Sequence, residues 1–355
     1  MAEKMLMKGN EAVAEAAIKA GCIHFFGYPI TPQTEIAAYM SKRLPKIENG
    51  VYVQAESEIA SINMVLGAAA SGVRAMTSSS SPGISLKTEG LSYMAGCDLP
   101  CLIVNVQRAG PGLGGIQPSQ ADYWQATKGV GHGGAHILVF APSSIQEMTE
   151  LVFDAFELAE KYRMPAMILS DGLLGQMMEP VSFPEREIII AEKPWATNGH
   201  NHKRERNIIN SLYLEASDLE EKNLERQKRY EEIERVEARM ESYLMEDAEI
   251  AVVAYGAAAR VVGTAVDMAR DEGVKAGLMR PVTLWPFPSA YVAECVASGL
   301  KKVMVVEMSS GQMVDDVRLA VNGSVPVGFY GRTGGVIPTP PEIAGELKRF
   351  AGGVR

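Results

Sequence analysis

Cysteine is scarce and poorly spaced for chemistry. Cys22, Cys97, Cys101 and Cys295 include no CxxC pair, and the close couple Cys97 and Cys101 has neither a second pair nor a nearby histidine. A four-ligand zinc or iron-sulfur site within the chain is therefore excluded, and the sparse usage predicts a reduced, cytoplasmic setting. Long apolar runs are also missing. No stretch approaches the roughly 20 apolar residues that span a bilayer, and the opening MAEKMLMKGNEAVAEAAIKAG mixes small apolar with charged residues where a signal peptide has an apolar block. Positive charge is in deficit, with 34 basic against 43 acidic residues and a formal charge of -9. Such a chain has no general attraction to phosphate backbones or anionic lipid, so neither nucleic acid nor membrane is an expected partner. Phosphate-loop lysines are absent too. TSSSSPG at 77–83 offers hydroxyls and backbone N–H groups but no lysine of the P-loop kind, and GPGLGG at 110–115 carries Pro111 and no following GKS or GKT. Nucleotide hydrolysis is excluded on that ground.

What is present describes a folded globular protein. The chain has 355 residues, 47% of them hydrophobic and 22% charged, which at about 150 residues per domain allows two domains with a connector. Residues 1–185 alternate strand and helix signals. Strands are expected at 22–28, 51–54, 74–78, 100–106, 136–140 and 165–169, and helices at 11–20, 58–70 and 144–161. The last helix carries Ile145, Met148, Leu151, Val152, Ala155, Phe156 and Ala159 along one side. Residues 186–248 form a polar linker with His200 and His202, then an acid-rich stretch without proline or glycine. Its apolar members Leu212, Ala216, Leu219, Tyr230, Ile233, Met240 and Leu244 predict one long helix over 215–247, packed on its own chain or on a partner. Residues 249–355 resume strands at 250–255, 275–279, 303–307 and 326–330, with helices at 257–272, 292–298, 312–321 and 340–349. The expected class is α/β: a mostly parallel sheet covered on both faces, followed by a smaller α/β unit. A regular eightfold barrel is excluded because the charged connector is an oversized insertion.

A few residues stand where chemistry is possible. In GYPITP at 27–32, two prolines place the Thr31 hydroxyl on a rigid turn, either to bond a carboxylate or carbonyl or to cap the helix starting near Thr34. Glu56 and Glu58 straddle a strand-to-helix junction and point in different directions. Glu58 heads a helix rich in small residues, where a carboxylate either partners a protonated heterocycle or serves the helix start. Arg108 closes the strand-like CLIVNVQR, at the end of a parallel strand where ligands gather; an anion or a surface salt bridge would each employ it. His132 and His136 in GVGHGGAH are not read as metal ligands, because no helix crosses the two glycines between them. Trp124, Trp195 and Trp285 read as packing anchors.

Taken in order, GYPITP, AESEIASINMVLGAAASG, TSSSSPG and VQRAGPGLGG resemble the alpha subunit of the 2-oxoacid:ferredoxin oxidoreductases. The resemblance implies a thiamine-enzyme pyrimidine-binding domain with a mostly parallel sheet, followed by a smaller transketolase C-terminal-like α/β domain. It implies CoA-dependent oxidative decarboxylation of a 2-oxoacid on thiamine diphosphate, with ferredoxin reduced. Glu58 falls on the family's pyrimidine-contact glutamate, which bonds N1′ and favours the imino tautomer whose 4′-nitrogen removes the thiazolium C2 proton. Thr31 falls on the threonine that contacts the 2-oxoacid, and Arg108 on the arginine near its carboxylate. Pro29, Ser80 and Ser81 fall beside the implied cofactor, the serine run departing from the SGPG turn of relatives. The GDG motif and downstream asparagine of magnesium-diphosphate sites are missing here. The resemblance therefore implies that a beta subunit shares the thiamine diphosphate and supplies Mg2+ and 4Fe-4S clusters, with gamma and ferredoxin-like delta subunits completing the complex. The extended GYPITPQTE, TSSSSPGISLK and GGIQPSQADYWQATKG are most similar to the branched-chain version, which acts on 3-methyl-2-oxobutanoate. The 2-oxoglutarate and pyruvate versions, and a non-catalytic α/β scaffold whose charged helix binds another chain, remain alternatives.

Overall fold

Short apolar runs bounded by glycine, proline or serine make the strands, and apolar faces of 3.6-residue period make the helices. The computed structural model describes residues 4–353. The first section runs β1 (Met5–Lys8), α1 (Gly9–Lys19), β2 (His24–Gly27), α2 (Thr34–Arg43), β3 (Val51–Gln54), α3 (Glu58–Ala70), β4 (Ala75–Ser79), α4 (Ser81–Ser85), α5 (Thr88–Gly96), β5 (Leu102–Gln107), α6 (Tyr123–Thr127), β6 (Leu138–Phe140), α7 (Ile145–Tyr162), β7 (Ala166–Asp171), α8 (Gly172–Gln176) and β8 (Met178–Val181). The connector holds α9 (Ala216–Val236). The last section runs β9 (Met240–Tyr243), β10 (Ile250–Val253), α10 (Gly256–Asp271), β11 (Ala276–Pro281), β12 (Thr283–Trp285), α11 (Ser289–Ala297), β13 (Lys302–Glu307), α12 (Met313–Val321), β14 (Val327–Gly331) and α13 (Pro340–Ala351).

The larger sheet has seven strands in the order β12-β6-β7-β5-β4-β2-β3, and the smaller has five in the order β14-β13-β10-β11-β9. Within the larger, only β12 runs antiparallel, against β6; within the smaller, only β9 does, against β11. The α/β class with mostly parallel sheets is thus the observed one. β1 and β8 pair antiparallel at the edge of the first unit, two short strands with too little alternation to be read from sequence. Helices cover both faces of the larger sheet because its strands are apolar on both sides. β5 and β7 are buried at every residue, and α7 turns in the face expected of it behind a Ser144 cap that accepts the Glu147 N–H at 3.1 Å.

Two departures from the sequence reading matter. The charged helix stops at Val236, not near 247. Glu237 ends it, its carboxylate taking bonds from Lys161 Nζ at 2.9 Å and Tyr162 Oη at 2.7 Å, after which Met240–Tyr243 cross β11 as an edge strand. No proline or glycine marks that stop; tertiary contacts impose it. The second departure is β12, which lies between the expected strand at 275–279 and the expected helix at 292–298, where no strand is predicted, yet adds to the sheet of the first section.

The helix α9 does pack on its own chain, but by a small area: Tyr230 and Ile233 are its buried residues. Tyr230 lies edge-on to Trp285 and His136, and Arg226 Nη2 reaches the Gly96 carbonyl at 3.3 Å. Leu219 and Leu224 face outward. Ile233→Ala is expected to cost about 2–4 kcal/mol in denaturant unfolding. Leu224→Ala, with the side chain 58% exposed, should stay within about 0.5 kcal/mol. Equal effects at the two positions would refute this account of the packing. No helix of the described residues is long and apolar enough to cross a membrane.

Candidate active site

Parallel strands end in one direction, so the loops after β2, β4, β5 and β7 gather along one edge of the larger sheet. The chain order also reverses at β2, with β3 on one side and β4 on the other, and such a switch opens a crevice outside the strand ends. GYPITP leaves the end of β2 at Gly27, the serine run leaves the end of β4 at Ser78 and Ser79, and Arg108 follows β5.

Glu58 is the first residue of α3. Its neighbour Ser57 performs the capping, accepting the Ala60 N–H at 3.1 Å. Glu58 is 6% exposed, while Glu56 faces solvent. Among the described residues, the side-chain hydrogen bonds to Glu58 reach its main-chain carbonyl, from Ser61 Oγ at 2.9 Å and Lys87 Nζ at 3.4 Å, and leave its carboxylate unbonded. That carboxylate stands against Gly83, where a Cβ would come within 2.7 Å of Glu58 Oε1 and 2.1 Å of Ser79 Oγ. Ser79 and Ser80 are fully buried and their hydroxyls have no partner among the described residues. Buried polar groups are ordinarily satisfied, so a carboxylate and two hydroxyls around one turn form a set of unused acceptors and donors.

Arg108 forms no ion pair among the described residues. It is 8% exposed, and its guanidinium donates to the carbonyls of Thr31 at 3.0 Å and Leu113 at 3.2 Å, leaving Nε buried without a partner. The Ser81 hydroxyl accepts the Arg108 N–H at 3.0 Å and donates to Asp122 Oδ2 at 2.6 Å, and Asn105 Nδ2 donates to the same oxygen at 3.0 Å. Burial pushes the Asp122 carboxyl up, against the pull of those two bonds and of the Arg108 charge. Thr31 is exposed, and its hydroxyl makes no hydrogen bond among the described residues. Gln33, not Thr31, stands at the N-cap of α2. Pro29 lies exposed on the same turn.

The structure thus joins Thr31, Arg108 and Ser81 in one chain of contacts, and sets Glu58 with Ser79 and Gly83 on the neighbouring part of the same serine turn. It does not put all of them in one cavity. Arg108, Ser81 and Asp122 line a cleft of about 820 Å³, closed on its far side by Ser309, Gln312 and Thr333 of the last section. Thr31 lines a separate hollow of about 600 Å³ with Ile116, Leu173 and Ile337. Glu58 lines neither. Sequence reasoning missed Gln33, whose Oε1 accepts Ser78 Oγ at 2.5 Å, and it missed Asn105 and Asp122. Polar Asn105 and Gln107 within the apolar LIVNVQ strand were the available signal.

Among the described residues, no group of three or more His, Cys, Asp or Glu side chains is arranged to hold a metal ion. His136 stacks on Trp285 with ring centroids 4.8 Å apart. Trp285 is the buried anchor expected of it, Trp195 packs partly buried against Arg163, and Trp124 instead stands 46% exposed beside the cleft.

Residues 15–245 match the family described as pyruvate flavodoxin/ferredoxin oxidoreductase, thiamine diP-binding, and residues 248–343 match pyruvate:ferredoxin oxidoreductase core domain II. The first section is accordingly a domain of the thiamine diphosphate-binding kind, on an α/β fold. The ketoisovalerate oxidoreductase subunit VorB of Methanothermobacter marburgensis is 49% identical over 350 residues, covering 98% of both chains. The 2-oxoglutarate synthase subunit KorA of Methanothermobacter thermautotrophicus is 40% identical, over 97% of this chain and 98% of that one. The 2-oxoglutarate:ferredoxin oxidoreductase from Magnetococcus marinus, solved with 2-oxoglutarate, coenzyme A and succinyl-CoA, superposes with a TM-score of 0.87 at 30% identity; the match covers 98% of this chain and 65% of that longer one. The chain belongs to the 2-oxoacid:ferredoxin oxidoreductase family, as a subunit of a multi-subunit enzyme.

Proposed function

We propose that this chain is the pyrimidine-binding subunit of an enzyme that converts 3-methyl-2-oxobutanoate and coenzyme A to the acyl-CoA and CO2, passing the electron pair to ferredoxin. The observation that carries the reading is the Glu58 carboxylate, on a residue 6% exposed and without a hydrogen bond among the described residues, beside the Ser79 and Ser80 hydroxyls, which are likewise unpartnered there. An aminopyrimidine ring presents the complementary groups, a ring nitrogen that takes a proton from or shares one with a carboxylate, and amino hydrogens and a second ring nitrogen for neutral partners. Bound thiamine diphosphate supplies a nucleophilic C2 carbon and an electron sink for the decarboxylation. Glu58 would hold the proton at N1′, Ser80 and Pro29 would border the ring, and Ser81 would fix Arg108 through its backbone. Arg108 would anchor the substrate carboxylate and Thr31 would give it a hydroxyl bond. A beta subunit would hold the diphosphate end with Mg2+ and carry 4Fe-4S clusters, and gamma and ferredoxin-like delta subunits would complete the complex.

The branched-chain substrate rests on the 49% identity to a ketoisovalerate oxidoreductase subunit. The cleft supports it against 2-oxoglutarate, which carries a second carboxylate. Arg108 is the one cationic side chain of the described lining, and the lining adds the acid Asp122. Ferredoxin reduction by the purified complex, measured with CoA across several 2-oxoacids, should be fastest with 3-methyl-2-oxobutanoate. A preference for 2-oxoglutarate or pyruvate would overturn the substrate, and no 2-oxoacid-dependent reduction at all would overturn the activity.

A further inference from the structure

Lys87 lies in the turn between α4 and α5 with its whole side chain out of solvent. Its ammonium meets three neutral acceptors: the hydroxyl of Ser61, Thr77 Oγ1 at 3.1 Å and the Glu58 carbonyl at 3.4 Å. Among the described residues it forms no ion pair. Two of those acceptors belong to the first turn of α3 and the third to β4, so one cation ties the helix that begins with Glu58 to the strand that ends with Ser79. The packing there is close. Gly90 of α5 abuts Ile62 of α3, where a Cβ would come within 2.6 Å.

A buried ammonium without an anion beside it is an expensive way to fill space, since an apolar side chain of the same length needs no desolvation. The acid nearest in effect is Glu58, whose charge favours the ammonium against its burial. We propose that Lys87 is a positioning residue for Glu58: its ammonium fixes the first turn of α3 on β4 and so sets where the Glu58 carboxylate stands. This deepens the reading of Glu58 given above and rests on it.

The charge is sensitive to pH. Burial pushes Lys87 down to about 8, with the Glu58 charge pulling it partly back. Glu58 and Cys101 are the titratable groups that face it, and burial holds the Cys101 thiol far up and so uncharged, with no pull on the ammonium in this range. The ammonium is therefore present at neutral pH and lost as pH rises through about 8. Because this value lies below that of an unfolded lysine, the charged form weighs against the fold, and its removal should not weaken the protein.

The test uses the assembled complex with Lys87→Met, Lys87→Arg and Glu58→Gln, following turnover, thiamine diphosphate affinity by fluorescence titration, and thermal unfolding. Lys87→Met should lose about tenfold or more in turnover at pH 7, bind thiamine diphosphate more weakly, and unfold at the same temperature or higher. The wild type should lose cofactor affinity above pH 8; Lys87→Met should lack that limb, and Lys87→Arg should carry it to higher pH. Unchanged turnover and affinity in Lys87→Met would overturn the proposal, and so would a loss that merely tracks a lower unfolding temperature at every pH. If Lys87→Met fails to assemble, an unmoved alkaline limb in Lys87→Arg overturns it instead. Full activity in Glu58→Gln would defeat the reading of Glu58 and this inference with it. An inactive Glu58→Gln beside an unaffected Lys87→Met would defeat Lys87 alone.

Discussion

Replacing Glu58 by glutamine in the assembled enzyme should lower turnover by about 10² or more, with the complex intact. The amide keeps the shape of the side chain but has little affinity for a proton, which is the one property the pyrimidine requires of this position. The fold should tolerate the exchange because Ser57, not Glu58, caps α3. Glu58 also accepts no hydrogen bond on its carboxylate among the described residues, so no internal donor is orphaned. Glu56→Gln is the control, two residues away and facing solvent, and it should behave as wild type. Equal losses in the two variants, or none in Glu58→Gln, would reject the assignment.

The second large effect is expected at Arg108. Arg108→Ala should raise the KM for the 2-oxoacid by an amount equivalent to a few kcal/mol, against roughly 1 kcal/mol for Thr31→Ala, because a charge-assisted pair outweighs a single neutral bond. The geometry adds a reason for coupling. Arg108 Nη1 holds the carbonyl of Thr31 itself at 3.0 Å, so losing the guanidinium frees the turn that carries the hydroxyl, and the double variant should lose less than the sum. Arg108→Lys should not restore the wild type, since a lysine cannot span both the Thr31 and Leu113 carbonyls with a planar fork. Steady-state kinetics of the four variants decide this. Unchanged 2-oxoacid kinetics in Arg108→Ala would remove the anchor, and additive losses would leave two contacts without cooperation.

The order of strands and helices was legible because apolar periodicity is local, and α7 shows it best: seven spaced apolar residues sufficed. What failed was decided by partners distant in sequence. Nothing within 237–247 distinguishes a helix from an edge strand, since the stop depends on Lys161 and Tyr162 meeting Glu237 and on β11 offering an open side. The site divides in the same way. The motifs located Glu58, Thr31, Arg108 and the serine turn, which stand at strand ends where ligands gather. Asp122, Gln33 and Lys87 are recognisable by their neighbours alone: an acid held by Ser81 and Asn105, an amide under Ser78, an ammonium under the first turn of α3.

The three residues of β12 have an outcome for how the chain can be cut. A fragment ending at residue 248 would keep nearly all of the first section but leave β6 as a bare border, its main-chain N–H and C=O groups free to recruit another polypeptide. It would also strip the Trp285 ring from His136 and Tyr230. Separate expression of the halves should therefore give sticky, poorly behaved products, whereas co-expression should let the missing ribbon dock in trans. In the intact chain the same stitch opposes any wide swing of one half away from the other, so ligands must enter the cleft between them through its open rim.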